Sequence, residues 1–298
     1  MSLPARPDSL PTVTLIIPSY RRGPILARTL AQLRACEPQA EEWLIVDQSG
    51  QTDPAVEQEI RAAGSRARLI RLEKPNAQAA RNRAALEAHG EILLFLDDDV
   101  VPDRDLIEVH RSNYREPSIH AVGGFYTEPG EQETAETREV VAWLPLSRLE
   151  RIPANYVKRA DSPLWPSCNG SIRREVYLKI GGMDENFRYT LYDDTDLSLR
   201  LEKQGYRCVH DPRARLVHLK EPTGGVRPIR PGDRVIASRE KWYTWFYFFW
   251  MNYGLAGLGE IFLRMRTNVF RRPYFQKPNL LLLAIYEMAV GFGQALCS

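Results

Sequence analysis

The 298-residue chain predicts an α/β fold, a mostly parallel sheet flanked by helices, followed by a helical, aromatic-rich C-terminal extension. Three observations carry this expectation. Short apolar strands alternate with helical patterns over the first hundred residues, an order that calls for right-handed crossovers between parallel strands. The charge divides near Pro222: residues 1–221 hold 30 basic and 34 acidic side chains, whereas residues 222–298 hold 10 basic and 4 acidic ones. Beyond that boundary Trp242 to Trp250 reads WYTWFYFFW, with eight of nine residues aromatic.

Residues Met1 to Pro11 carry three prolines and no apolar core, so they read as a lead-in and not as a secretory signal. Val13 to Ile17 is a β-branched run halted by Pro18, a buried strand that ends in a loop. Pro24 to Cys36 places Ile25, Leu26, Leu30 and Leu33 at helical spacing, and Trp43 to Val46 is again a short apolar strand. A helix from about Pro54 to Ala63 and an edge strand at Arg68 to Leu72 follow. Ala77 to His89 reads as a helix with Gly90 as its stop, and Ile92 to Leu96 as the next strand.

Ligands of parallel sheets bind beyond the carboxyl ends of the strands. That rule singles out Pro18-Ser19-Tyr20, Asp47-Gln48-Ser49 and Asp97-Asp98-Asp99, which should share one rim. Three successive aspartates at the mouth of a buried sheet repel one another unless a cation sits among them. The residues themselves leave a second explanation open, in which they cap the following turn. A later acidic cluster lies in YDDTDLSLRL, where Leu197, Leu201 and Tyr192 suggest an amphipathic helix with Asp193 and Asp194 at its start. There the helix dipole favours anions, so Asp194 either caps the helix or keeps a low pKa and accepts a proton from a bound hydroxyl. Asp196 and Arg200 are spaced for an intrahelical ion pair.

Taken in order, TLIIPSYRR, IVDQSG, NAQAARNRAAL, LLFLDDDVVPD, CNGSIRREVYLKIGGMDENF, YDDTDLSLRL and VHLKEPTGG resemble the inverting family 2 glycosyltransferases, over roughly residues 12–225. The resemblance implies the GT-A fold for that stretch, with residues 226–298 as a helical extension. It implies that Pro18, Ser19 and Tyr20 pack on a nucleotide, that Asp47 lies near its base and ribose, and that Arg81 reaches it. Gln48 departs from the family's usual second Asp, which leaves the base open among UDP-, dTDP- and GDP-sugars. Asp97, Asp98 and Asp99 match the DxD region, with Asp99 as direct ligand of Mn²⁺ or Mg²⁺, Asp97 nearer the ribose or the metal's water shell, and His218 approaching the metal or diphosphate.

By the same resemblance Asp194 is the general base, with Asp193 where the family usually has Glu. Asn169 and Gly170 would form the floor under the donor sugar, with Cys168 inert beside them. Gly181 to Glu185 would be a turn orienting the helix of Asp194, with Asp184 and Glu185 structural. The implied reaction is a single displacement with inversion, onto a saccharide or lipid-linked acceptor, in cell-surface polysaccharide or glycolipid synthesis. Competing explanations are a nucleotidyltransferase, which would need a glycine-rich triphosphate loop that Pro18 to Gly23 lacks, and a non-catalytic nucleotide-sugar-binding protein.

The formal net charge of +2 argues against general nucleic-acid binding. Four cysteines without a CxxC pair suggest neither zinc nor a disulfide framework, and so a reducing cytoplasm. For the extension three expectations stand. The 18 uncharged residues from Trp242 to Gly259 could lie in a membrane interface with Arg264, Arg266, Arg271 and Arg272 at the headgroups, pack as a helix or homodimer contact, or span the bilayer. A chain truncated after about Thr223 is expected to keep its nucleotide site folded.

Overall fold

A computed structural model describes residues 10–136, 153–162, 164–187, 189, 191–225, 239–268 and 278–297. The parallel core is β1 (Val13–Ser19), β2 (Glu42–Asp47), β3 (Ala67–Arg71) and β4 (Ile92–Leu96), joined by helices α1 (Gly23–Arg34), α2 (Pro54–Ala63) and α3 (Ala77–Glu87). Next come β5 (Val100–Pro102), α4 (Leu106–Asn113), β6 (Ile119–Thr127), β7 (Ala160–Asp161), β8 (Asn169–Arg173) and α5 (Arg174–Lys179). Helix α6 (Asp193–Lys203) and the long strand β9 (Arg207–His218) complete the sheet region. Among the described residues the sheet order is β3-β2-β1-β4-β8-β6-β9-β5, with β7 beside β9. Strand β8 runs antiparallel to β4 and β6, so the sheet is mixed, and β3 lies at its edge as its composition predicted.

Side chains alternate across the sheet. Leu15, Ile17, Leu94 and Leu96 pack with α1 and α4 on one face, while Ile16, Leu93 and Phe95 pack with α3, α5 and α6 on the other. Both faces are covered, which is why these strands read as unbroken apolar runs. Among the described residues two helices carry side-chain N-caps: Asp53 accepts from the Ala55 N–H on α2, and Asn76 accepts from the N–H groups of Gln78 and Ala79 on α3. Helix α3 ends at Glu87 with Ala88 already extended, so Gly90 is not its stop. Gly90 instead permits contact with β1: a Cβ there would lie 2.6 Å from the Thr14 nitrogen.

The extension is helical at α7 (Arg239–Tyr253), α8 (Leu258–Asn268) and α9 (Pro278–Leu296), with a 3₁₀ turn at Gly254–Gly257 between the first two. Most of the aromatic run is interior. Trp242, Tyr243, Phe246, Tyr247, Phe248 and Phe249 are buried in a third cluster with Phe187 and Leu199, and only Trp250 of the nine stands exposed. The expectation that this run lies in a membrane interface is therefore corrected, because its rings are consumed in packing. The spanning expectation fails as well: the uncharged stretch breaks at Tyr253, and among the described residues no helix is long and apolar enough to cross a membrane. Arg271 and Arg272 lie outside the described residues, as does the lead-in up to residue 9.

Candidate active site

The ends of β1, β2 and β4 do meet on one rim. Above them opens a cavity of about 400 Å³, lined by Pro18, Ser19, Tyr20, Gln48, Arg81, the three aspartates 97–99, Asp193, Asp194 and His218. The three aspartates that follow β4 point apart. Asp98 turns toward β1, where its carboxylate accepts from Ser19 Oγ at 2.6 Å and from Arg22 Nη1 at 2.9 Å. Burial raises its pKa to about 6 despite Arg22 and Ser19. Asp97 faces α3 and accepts from Arg81 Nη2 at 2.8 Å.

Asp99 is almost wholly buried, and its Oδ1 lies 3.1 Å from His218 Nε2, which is also 3.5 Å from Asp97 Oδ2. Burial pushes the Asp99 carboxyl up, but His218, the Glu221 N–H and Arg22 outweigh it and hold the pKa below the usual range. Ligand atoms of Asp97, Asp99 and His218 all lie within 4.8 Å of one another. Two carboxylates and an imidazole nitrogen converging on one point form a donor set that fits Mn²⁺ or Mg²⁺. Asp97 belongs to this set directly, where the resemblance had placed it nearer the ribose or the metal's water shell.

Arg81 is not a surface arginine. Small residues Ala77, Ala80, Ala84 and Ala85 let α3 lie close on the sheet, and the Arg81 guanidinium is carried in with them, 3% exposed, with Nε and Nη1 lacking partners. Burial opposes its charge, yet Asp97, Asp193 and Asp194 together raise its pKa. Gln48 is buried, and its Oε1 accepts the Asn76 N–H at 2.6 Å, so its carbonyl is engaged in holding the start of α3. Asp47 does not line the main cavity. It accepts the Ser49 N–H and borders an adjoining space of about 380 Å³ that shares Ser19.

The second acidic pair arrives from α6. Tyr192, with φ 66°, lies in the left-handed region before the first turn and so is not on the helix's apolar face as its spacing suggested. Asp193 accepts from Gln78 Nε2 at 2.7 Å, and Asp196 pairs with Arg200 at 2.8 Å. Asp194 has an Oδ1 shut off from solvent with no hydrogen-bond partner. Removal from water and then the charge of Asp193 raise its pKa to about 7, against the pull of Arg81 and Ser167. The low pKa expected of a helix N-terminus is thus overturned, since desolvation exceeds the dipole here.

Asn169 and Gly170 do not line the cavity. Asn169 is fully buried in β8, donating to the carbonyls of Phe125 and Ala214, and a Cβ on Gly170 would strike the Pro166 carbonyl oxygen at 2.3 Å. Ser167 and Cys168 line it instead, and burial pushes the Cys168 thiol well above its ordinary pKa. Asp184 is structural, accepting from Tyr247 of α7 at 2.7 Å.

The sequence reading missed Arg22. Besides Asp98 it donates to the carbonyls of Glu221 and Thr223, while the Gly225 N–H donates to the Tyr20 carbonyl, so residues 219–225 fold back over the β1 loop. Gly224 and Gly225 adopt φ of 70° and 75° to allow this. The second arginine of SYRR and the glycine pair of EPTGG were the signal.

A family model described as "Glycosyl transferase family 2" matches residues 14–181. The O-antigen biosynthesis protein RfbC of Myxococcus xanthus is 31% identical over 228 residues, covering 70% of this chain but only 17% of its own length. The chain thus spans under a fifth of that relative. Among solved structures, GalNAc-T7 with UDP, GalNAc and Mn²⁺ superposes with a TM-score of 0.60 at 16% identity, covering 80% of this chain and 51% of its own. The mannosyltransferase PcManGT of Pyrobaculum calidifontis with GDP-Man and Mn²⁺ superposes at 0.53 and 18% identity, covering 98% of this chain and 75% of its own. These two likenesses show the fold, that of the GT-A glycosyltransferases.

Proposed function

The chain belongs to glycosyl transferase family 2, and we propose that it is a metal-dependent inverting transferase that moves a sugar from a nucleoside-diphosphate donor to an acceptor hydroxyl. The observation that carries the proposal is the meeting, in one cavity, of the Asp97, Asp99 and His218 donor set with the unpartnered carboxylate oxygen of Asp194. One cluster suits a leaving diphosphate and the other an entering hydroxyl.

On this reading Asp97, Asp99 and His218 hold Mn²⁺ or Mg²⁺, which when bound supplies charge neutralisation for the departing diphosphate. Arg81 contributes a second positive group at the cavity wall, beside the Asp97 carboxylate. Pro18, Ser19 and Tyr20 line the nucleotide's side of the cavity, with Asp47 in the adjoining space for the base and ribose. Asp194 takes the proton of the acceptor hydroxyl as its oxygen bonds to the anomeric carbon. The bond from that carbon to the diphosphate oxygen breaks, and the nucleoside diphosphate leaves with the electron pair. Attack opposite the leaving group inverts the anomeric centre. A carboxyl with a pKa of about 7 suits this step, since a base works best when its affinity for protons matches the working pH.

The name of the RfbC relative, an O-antigen biosynthesis protein, supports a saccharide or lipid-linked acceptor in cell-surface polysaccharide synthesis. The test is a screen of UDP-, dTDP- and GDP-sugars for turnover by metal-stripped protein with and without Mn²⁺. Turnover of one donor only with metal supports the proposal, and turnover that ignores metal rejects it.

A further inference from the structure

We propose that a second cavity, reached across Asp194 from the first, takes an uncharged saccharide as acceptor and excludes phosphates and acidic sugars. The proposal rests on the reading of Asp194 as the base and narrows the acceptor of that reaction. The space measures about 490 Å³, within the range of roughly 300–1,000 Å³ usual for small-molecule sites. Of the described residues, Tyr126 and Asp194 alone line both cavities, so these two form the boundary between them.

The place of this cavity suits an entering hydroxyl. In a single displacement the attacking oxygen approaches from the side away from the leaving diphosphate, so it must reach the base without crossing the metal site. Asp97, Asp99 and His218 border the first cavity only, whereas Asp194 borders both. The ring of Tyr126, edge-on to His218 with centroids 6.0 Å apart, stands at the border. The same stretch of chain walls the two sides, Leu164 to Pro166 on the second cavity and Ser167 and Cys168 on the first.

Charge decides the occupant. The carboxylates lining the second cavity are those of Glu128, Glu131 and Asp194. Lys220 pairs with Glu128 at 3.0 Å but lines the first cavity, and Glu131 is held in the turn after β6, where its carboxylate accepts the Glu128 N–H. His210 adds no positive charge: burial lowers its pKa, and its Nε2 donates to the Tyr156 carbonyl at 2.7 Å, which leaves Nδ1 as an acceptor. An anionic group here would face like charges, whereas sugar hydroxyls donate to carboxylates and meet the neutral side chains of Asn155, Ser162 and Thr195. The base points the same way. A phosphate, with a second pKa of about 6, is already ionised at neutral pH and needs no proton removed, while a hydroxyl does.

The experiment offers the full chain, with Mn²⁺ and a pool of UDP-, dTDP- and GDP-sugars, the methyl glycosides of glucose, galactose and mannose, the matching uronic acids, and farnesyl phosphate. Transfer is read by mass spectrometry. The expected result is product on a neutral glycoside and about tenfold less, or none, on its uronic acid and on farnesyl phosphate. Glu128→Gln/Glu131→Gln should narrow that preference about fivefold, since it removes the repelling charges and keeps the shape. Ala154→Phe, which fills part of the second cavity, should cut transfer about tenfold while Mn²⁺-dependent donor binding, measured by calorimetry on the same samples, holds. Donor binding indifferent to Mn²⁺ in the native chain would reject the reading of the first cavity. With that binding intact, transfer to the uronic acids or to farnesyl phosphate equal to that on neutral glycosides, no transfer to any neutral glycoside, or a preference unmoved in the double variant would each overturn the proposal.

Discussion

Whether Asp194 carries a proton decides whether it can accept one. With its pKa raised to about 7, kcat/KM should fall about tenfold per unit below neutrality and level off above it. A flat profile from pH 5 to 8, read by donor turnover, would remove Asp194 from the base role. Asp194→Asn keeps the shape and removes the base, so turnover should drop by about 10² or more while donor affinity holds. Asp99→Ala should act oppositely, abolishing the effect of Mn²⁺ on donor affinity in titration calorimetry, because it removes one of the three converging ligands. The aspartates themselves were legible in the sequence, since like charges at a strand end demand an explanation. Arg22 was not, because its partners lie 76 to 201 residues away along the chain, so neither SYRR nor EPTGG alone points to the contact. The raised pKa of Asp194 was equally hidden, for helix position is written in the sequence and desolvation is not.

At the scale of elements, the start of α6 is held by the extension. Tyr192, in its left-handed conformation, stacks on Phe248 at 4.6 Å, and Arg264 Nη2 donates to its hydroxyl at 2.8 Å. Asn252 donates to Asp196, a turn further along the helix. A non-glycine residue in this region costs about 1–3 kcal/mol and persists only where its surroundings impose it. Arg264→Met should therefore lower kcat several-fold with donor affinity unchanged, and adding Tyr192→Gly, which tolerates the turn, should restore part of the loss. Loss of donor binding together with kcat would mean general unfolding instead. The strands and helices of the first hundred residues were readable because buried parallel strands are short β-branched runs between helical periods. WYTWFYFFW was legible as a helix but not by environment, because rings on every side suit a lipid boundary and a protein core alike.

Across the whole molecule, the charge boundary near Pro222 marks a change of composition and not of cohesion. Phe187 and Leu199, which precede it, share a buried cluster with the rings of α7, and Asp184 and Asn186 accept hydrogen bonds from Tyr247 and Tyr243. This packing predicts the opposite of the expectation that a chain ending near Thr223 keeps its nucleotide site. Removing the aromatic side of this cluster would expose Phe187 and Leu199, whose burial stabilises by about 1.5–3 kcal/mol each. The truncated chain should aggregate or melt well below the full chain in thermal denaturation, and a soluble product with unchanged melting would contradict that.

The central claim is that one cavity holds a metal-assisted leaving group and a carboxylate base. It is tested most directly by measuring donor binding and turnover on metal-stripped protein, with and without Mn²⁺, for the native chain and Asp194→Asn. The account predicts that Mn²⁺ tightens donor binding equally in both proteins while only the native chain turns the donor over. Binding indifferent to Mn²⁺, or turnover that survives Asp194→Asn, would contradict it.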